Sequence, residues 1–306
     1  MKRLNWYTII ILTIVCVQLV PLEGNAVNKS RPKIGLVLGG GGAKAAAEVG
    51  VLQVLDDMGL QVDYIAGSSM GAVIGGLYAS GYSARDIKKL LLTEEWLSLF
   101  SADAIGKFTR GDDRSAFGVV WGNTFQRKLE GLLWKKRCKY FKDTLVPFRC
   151  VAVDVRNLAE TILSYGNLAR GIRASMSFPG VYMPISIDGN YLVDGGMRNN
   201  LPVDVVRAMG ADIVIAIDLE QKDKLDRDAQ FKDYMGIAGY ADWLKARPDI
   251  KKHNKNKKDA DVYIHPELPG FDIMSFGKNN FLRMFEIGQK EGYTHLVELK
   301  KVKQKR

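Results

Sequence analysis

Within roughly fifty residues the chain twice passes from a short apolar run, through a glycine-bearing bend, into a segment of helical spacing. Residues 33–38 read as a buried strand ended by Gly39, Gly40, Gly41 and Gly42. From 43 to 58 the apolar side chains Ala46, Val49, Leu52, Val54 and Leu55 fall on a helical period, and Gly59 supplies the stop. A second strand over 62–66 and a small-residue helix over 70–80 follow. Strand, helix, strand, helix in that span is a βαβ unit with a parallel sheet. The 31 Gly against 9 Pro suit tight strand-to-helix turns, while 47% hydrophobic and 25% charged residues exclude a disordered or fibrous chain. The 306 residues are enough to bury a sizeable core.

Further strands are expected over 148–155, 161–164, 185–192 (turning at 188–190), 212–217 and 262–265, with a final helix over about 280–301. The polar, basic stretch 222–261 reads as an exposed excursion. No repeats occur, and one domain is expected from about Arg31 onward. Ahead of it, Lys2 and Arg3 precede the apolar run 6–20, and the small residues Gly24 and Ala26 follow. That order marks residues 1–26 as a secretory signal peptide, the other reading being an uncleaved anchor. A secreted or periplasmic, membrane-associated location is the corresponding expectation. Three Cys exclude a disulfide-dense scaffold and a Cys-built zinc site. Cys138 and Cys150 either pair in an oxidising compartment or are buried thiols.

Gly67-Ser68-Ser69-Met70-Gly71 is a G-x-S-x-G placed between a strand and a helix. A serine on such a bend projects its hydroxyl away from the backbone, and the helix start beyond it favours a developing negative charge. The run Gly39–Gly42 admits three readings. A Walker phosphate loop fails, because Lys44 lacks the preceding Gly and following Ser/Thr. A dinucleotide fingerprint lacks the acidic residue that should end the second strand. An oxyanion hole supplied from this strand's exit to a serine on the next one explains both glycine clusters with a single reaction centre. For a base, Asp194 precedes Gly195 and Gly196 at a strand end. In a dry site it can take a serine proton directly, or it is a turn residue capping its own backbone. A Ser-Asp-His triad completed by His265 or His295 is a further option, whereas His253 looks solvent-exposed.

Leu38 to Lys44, Gly67 to Gly71 and Asp194-Gly195-Gly196 together resemble the three signatures of the patatin-like phospholipases. The stretches 50–55, 173–179 and 199–203 support the likeness, which spans about 32–218. It implies an α/β, three-layer patatin-like fold whose mostly parallel central sheet is flanked by helices. It also implies a Ser69–Asp194 dyad without histidine, an oxyanion hole at Gly40, Gly41 and Gly42, and no metal or cofactor. The implied substrate is a phospholipid, lysophospholipid or other acyl ester. A lipid- or anion-binding module that kept the fold without catalysis is the competing class. Two positions depart from the family pattern: Ala45 stands where Gly is usual, and Glu48 where His is frequent. Lys44 is expected to pair with Glu48 four residues on.

The formal charge of +10 favours an anionic partner or surface. Nucleic acid is not expected, because the basic runs at 251–258 and 300–306 lack interleaved aromatics and a recognition motif. Those runs are either solvated faces or contacts to anionic lipid. Trp96, Leu97, Leu99 and Phe100, followed by Ile105, Lys107, Phe108 and Arg110, form either a rim for acyl chains or a helix tucked into the core.

Overall fold

Strand β1 (Ile34–Leu38) carries no polar side chain, and all five of its residues are buried. A strand apolar on both faces needs a layer on each side. The structure, a computed structural model, describes residues 31–100, 122–179, 181–219 and 249–305. The expected signal segment, residues 105–110 of the aromatic stretch and 222–248 of the basic excursion lie outside them.

After β1, a short 3-10 turn leads into α1 (Ala46–Asp57), β2 (Tyr64–Ser68), α2 (Met70–Ala79), α3 (Ala84–Leu91), α4 (Glu94–Ser98) and α5 (Asn123–Lys135). Then come β3 (Phe148–Asp154), β4 (Ala159–Leu163), α6 (Leu168–Ser175), β5 (Ile185–Ile187), β6 (Asn190–Asp194) and α7 (Val203–Ala208). The chain ends with β7 (Ile213–Ile217), α8 (Ile250–Asp259), β8 (Val262–Ile264), α9 (Lys278–Thr294) and α10 (Leu296–Gln304). The strands form one sheet in the order β5-β6-β3-β2-β1-β7-β8, with β4 also on β3. From β3 to β8 the pairing is parallel. Strands β4 and β6 run antiparallel to β3, and β5 antiparallel to β6, so the sheet is mixed. Ile34, Leu36 and Leu38 point into the larger core with α1, α2 and α9, while Val37 faces a smaller one beneath α7.

The register places the site. On one edge of β3, residues 150–154 pair with β4. On the other, β2 pairs only as far as Ser68↔Val151, and β6 takes up the next position with Ala152↔Asp194. Strand β6 therefore meets the end of β2 head-on along one edge, bringing Asp194 to the residue that follows Ser68.

Two expectations change, and two alternatives left open are decided. The lysine-rich segment is not a solvated excursion: it forms α8, which turns His253 and Asn256 into the interior. His253 is 3% exposed, and its Nε2 lies 2.9 Å from Asp218 Oδ2. The final helix is two, broken at His295. Cys138 and Cys150 are buried free thiols, and burial pushes the Cys150 thiol up. Trp96 and Phe100 belong to the core, where Phe100 stacks on Phe276 at 4.8 Å.

Candidate active site

Ser69 sits on the single residue between β2 and α2, with φ 53° and ψ −128°. This is left-handed backbone that a non-glycine residue adopts only when its surroundings enforce it. Here they do: the Ser69 amide donates to Ser175 Oγ at 3.1 Å, and Ala72 donates back to the Ser69 carbonyl at 3.0 Å. On either side, a Cβ at Gly67 would lie 2.5 Å from the Gly71 carbonyl, and one at Gly71 would lie 2.4 Å from that of Leu38.

The hydroxyl of Ser69 donates to Asp194 Oδ2 at 2.6 Å. Asp194 is 2% exposed, and its Oδ1 accepts the Gly196 amide at 2.8 Å. Burial pushes its carboxyl up to about 6, although the hydrogen bonds from Ser69 and Gly196 pull the other way. A Cβ on Gly195 would stand 2.2 Å from the Val151 carbonyl, so glycine lets the turn after β6 lie this close to β3.

The glycine run adjoins this pair. A Cβ on Gly40 would stand 2.9 Å from Ser69 Cβ and 2.3 Å from Asn200 Oδ1, so only glycine allows the approach. Gly40 does not offer its own amide: that group donates to the Asn200 carbonyl at 3.1 Å. The expected trio of amides thus reduces to two, since those of Gly41 and Gly42 meet no protein acceptor among the described residues. Gly42 adopts φ +56°, the left-handed region. A narrow apolar cleft of about 30 Å³ opens from Gly42 and Met70 and runs past Ile74, Trp96 and Phe276.

Two residues received no role from the sequence. Ser175 fixes the Ser69 backbone, and Asn200 clamps the glycine loop by returning a second bond, Nδ2 to the Gly40 carbonyl at 3.0 Å. Both lie in the stretches 173–179 and 199–203, which are their only sequence signal. The histidines are engaged elsewhere. His265 Nδ1 faces the Asp218 carbonyl at 3.1 Å, and His295 bridges Glu291 and Glu298. The expected Lys44–Glu48 pair does not form. Lys44 Nζ donates to the Leu219 carbonyl at 2.9 Å, whereas both Glu48 oxygens are buried without a hydrogen-bond partner. Burial, with a smaller push from Asp218 and an opposing backbone contact at Gly39, holds the Glu48 carboxyl well above the usual range. Among the described residues no cluster of His, Cys, Asp and Glu could hold a metal ion.

A three-layer α/β sheet that presents a strained serine, a buried carboxylate and unpaired amides at one strand junction defines a narrow class of protein. The chain belongs to the patatin-like phospholipase family, whose model matches residues 36–207, more than half of its length. It is 31% identical over 282 residues to human patatin-like phospholipase domain-containing protein 6, covering 85% of this chain and 20% of that protein. To mouse patatin-like phospholipase domain-containing protein 7 it is 36% identical over 302 residues, covering 89% and 21%. Lysophospholipase NTE1 of Candida glabrata is 29% identical over 294 residues, covering 87% and 16%. The chain thus spans about a fifth of the length of these relatives. Among solved structures, VipD from Legionella pneumophila shares the fold with a TM-score of 0.53 at 16% identity, over 88% of this chain and 67% of that one.

Proposed function

We propose that this protein hydrolyses acyl esters of phospholipids or lysophospholipids through a Ser69–Asp194 dyad. Ser69 Oγ attacks the ester carbonyl carbon and passes its proton to Asp194 Oδ2. The amides of Gly41 and Gly42, with that of Met70 at the start of α2, hold the oxyanion in a dry site where such bonds are strongest. Collapse expels the alcohol, which takes the proton from Asp194 and leaves an acyl group on Ser69. Water then attacks, its proton passing to Asp194 and on to Ser69 as the fatty acid departs. A carboxylate titrating at about 6 suits this work, being ionised at neutral pH yet more basic than an ordinary aspartate. The apolar side chains lining the narrow cleft beside Gly42 and Met70 support an apolar acyl group as the neighbour of the reacting carbonyl. The names of the relatives, phospholipase and lysophospholipase, agree with lipid esters as substrates. A secretory address in residues 1–26 would deliver the enzyme outside the cytoplasm.

The observation that carries this reading is the 2.6 Å bond from a strained serine to a buried carboxylate. A fluorophosphonate probe loses fluoride to an activated serine and leaves a phosphonyl ester. Peptide mapping should find that ester on Ser69 and nowhere in Ser69→Ala. Asp194→Asn should reduce turnover of a short-chain ester by about 10²–10⁴-fold. Labelling at another serine, or full activity in both variants, would overturn the assignment.

A further inference from the structure

The glycine loop is covered by a segment that no catalytic step uses. Between β8 and α9, the tip Phe271–Phe276 carries Ile273 and Met274, which are 40% and 48% exposed. Large apolar side chains held in water beside an apolar cleft call for a partner. The tip is also stiff. The exposed Asp272 carboxylate accepts the Met274 amide at 2.8 Å and the Ser275 hydroxyl at 3.1 Å. Phe276 anchors the turn by its stack on Phe100. Most directly, the Ile273 carbonyl accepts the Ala43 amide at 2.9 Å and would touch any Cβ placed on Gly42. The next residues, Ser275, Phe276 and Gly277, line the cleft that begins at Gly42 and Met70. Exposed Lys278 and Arg283 flank the tip, with the Arg283 guanidinium 5.2 Å from the Phe271 ring centre.

We infer that the tip Phe271–Phe276 is the contact this enzyme makes with an anionic lipid surface. Ile273 and Met274 enter the acyl boundary, and Lys278 and Arg283 meet the headgroups. The chemistry fits a bilayer better than a folded partner. Two apolar side chains on a narrow turn offer too little area for a stable protein interface, yet they suit shallow insertion beside cations. The inference rests on the lipid-hydrolase reading and deepens it. A lipid seated there lies at the mouth of the cleft, and the contact bears on the same loop that holds the amides of Gly41 and Gly42.

Binding separates the two readings, because it can be measured without turnover. Full-length Ser69→Ala protein is sedimented with vesicles of phosphatidylcholine alone or mixed with phosphatidylserine. Adding Ile273→Ser with Met274→Ser should weaken partition onto the mixed vesicles by about thirtyfold. Lys278→Gln with Arg283→Gln should weaken it only where phosphatidylserine is present, and added salt should do the same to the parent. Matching thermal transitions would show that the exposed changes leave the fold intact. Equal partition of parent and tip variant would overturn the inference, as would indifference to phosphatidylserine. A concentration-dependent dimer that the tip changes dissolve would overturn it in favour of a second copy. Vesicle binding through the tip by a protein with no esterase activity would instead sink the hydrolase reading and leave the surface standing.

Discussion

At the scale of single residues, Asp194 shows how a site sets its own chemistry. Its carboxyl is out of water, so the charged form is penalised, and the two hydrogen bonds it accepts offset only part of that. As the base it must be ionised. The ratio kcat/KM on a soluble ester should therefore fall about tenfold per pH unit below about pH 6, which a pH–rate profile checks. The same shift has a stability consequence of known sign. A carboxyl raised to about 6 in the fold binds a proton more tightly than its unfolded counterpart near 3.9, so its contribution is full below about pH 4 and lost as pH rises through about 6. The difference is worth up to about 3 kcal/mol at neutral pH. Asp194→Asn keeps the shape and removes the buried charge. Its urea midpoint should exceed the parent's at pH 8, and the gap should close as pH falls toward 4. Gly40 is the steric counterpart. In Gly40→Ala the new methyl must displace Ser69 or Asn200, and a misplacement of about 1 Å costs on the order of 10²-fold in turnover. The loss should appear in kcat, with folding stability reduced by about 1–3 kcal/mol.

At the scale of elements, much was legible and the exceptions have physical causes. The strand and helix around each glycine cluster follow from apolar period and turn chemistry, and they fall within a few residues of expectation. Ser69 is nameable from such local signals, whereas for Asp194 they leave a turn residue as the other reading, and the resemblance to the family is what favours it as the base. What brings them together is not local: β6 takes over the edge of β3 where β2 stops, and only pairing between distant segments decides that. Nor could local pattern reveal that the Gly40 amide is engaged by Asn200, 160 positions away. Helix α8 was misread because Lys251, Lys252, Lys255, Lys257 and Lys258 dominate its composition. His253 and Asn256, three apart on one face, are what it buries, and the polar partner of His253 is Asp218, which lies before the helix just beyond the end of β7. Element packing carries its own prediction at the crossing of α1 and α9. A Cβ on Gly288 would lie 1.9 Å from the Ala47 carbonyl, and one on Gly50 would lie 2.1 Å from that of Phe285. Gly288→Ala should therefore destabilise by roughly 3 kcal/mol, because two helix backbones must separate. Gly131→Ala, in α5 with nothing within 4 Å of the new atom, should stabilise by about 0.5–1 kcal/mol. Denaturant titration of the pair reads both signs.

At the scale of the whole molecule, the family match and the folding unit are not the same length. The match closes at residue 207, ahead of β7, β8 and α9, yet residues 32–306 make one compact unit. Strand β7 lies between β1 and β8, and α9 lays Phe281, Met284 and Phe285 into the core shared with α1 and α2. Truncating buried side chains of that kind to alanine costs about 2–5 kcal/mol each. Three such losses equal most of the 5–15 kcal/mol that holds a typical domain folded. Removal of the segment would also leave the β7 edge unpaired and strip the cover from the glycine-faced side of α1. A chain cut after Leu219 should therefore lack a cooperative thermal transition and should not react with a fluorophosphonate at Ser69, although every residue of the dyad and the glycine loop is present. The comparison is with a chain spanning 32–305, which should melt in one step. A truncated chain that melts cooperatively and labels at Ser69 would mean that the parallel sheet supports its catalytic edge without α9, and that the close crossing at Gly50 and Gly288 serves something other than the fold.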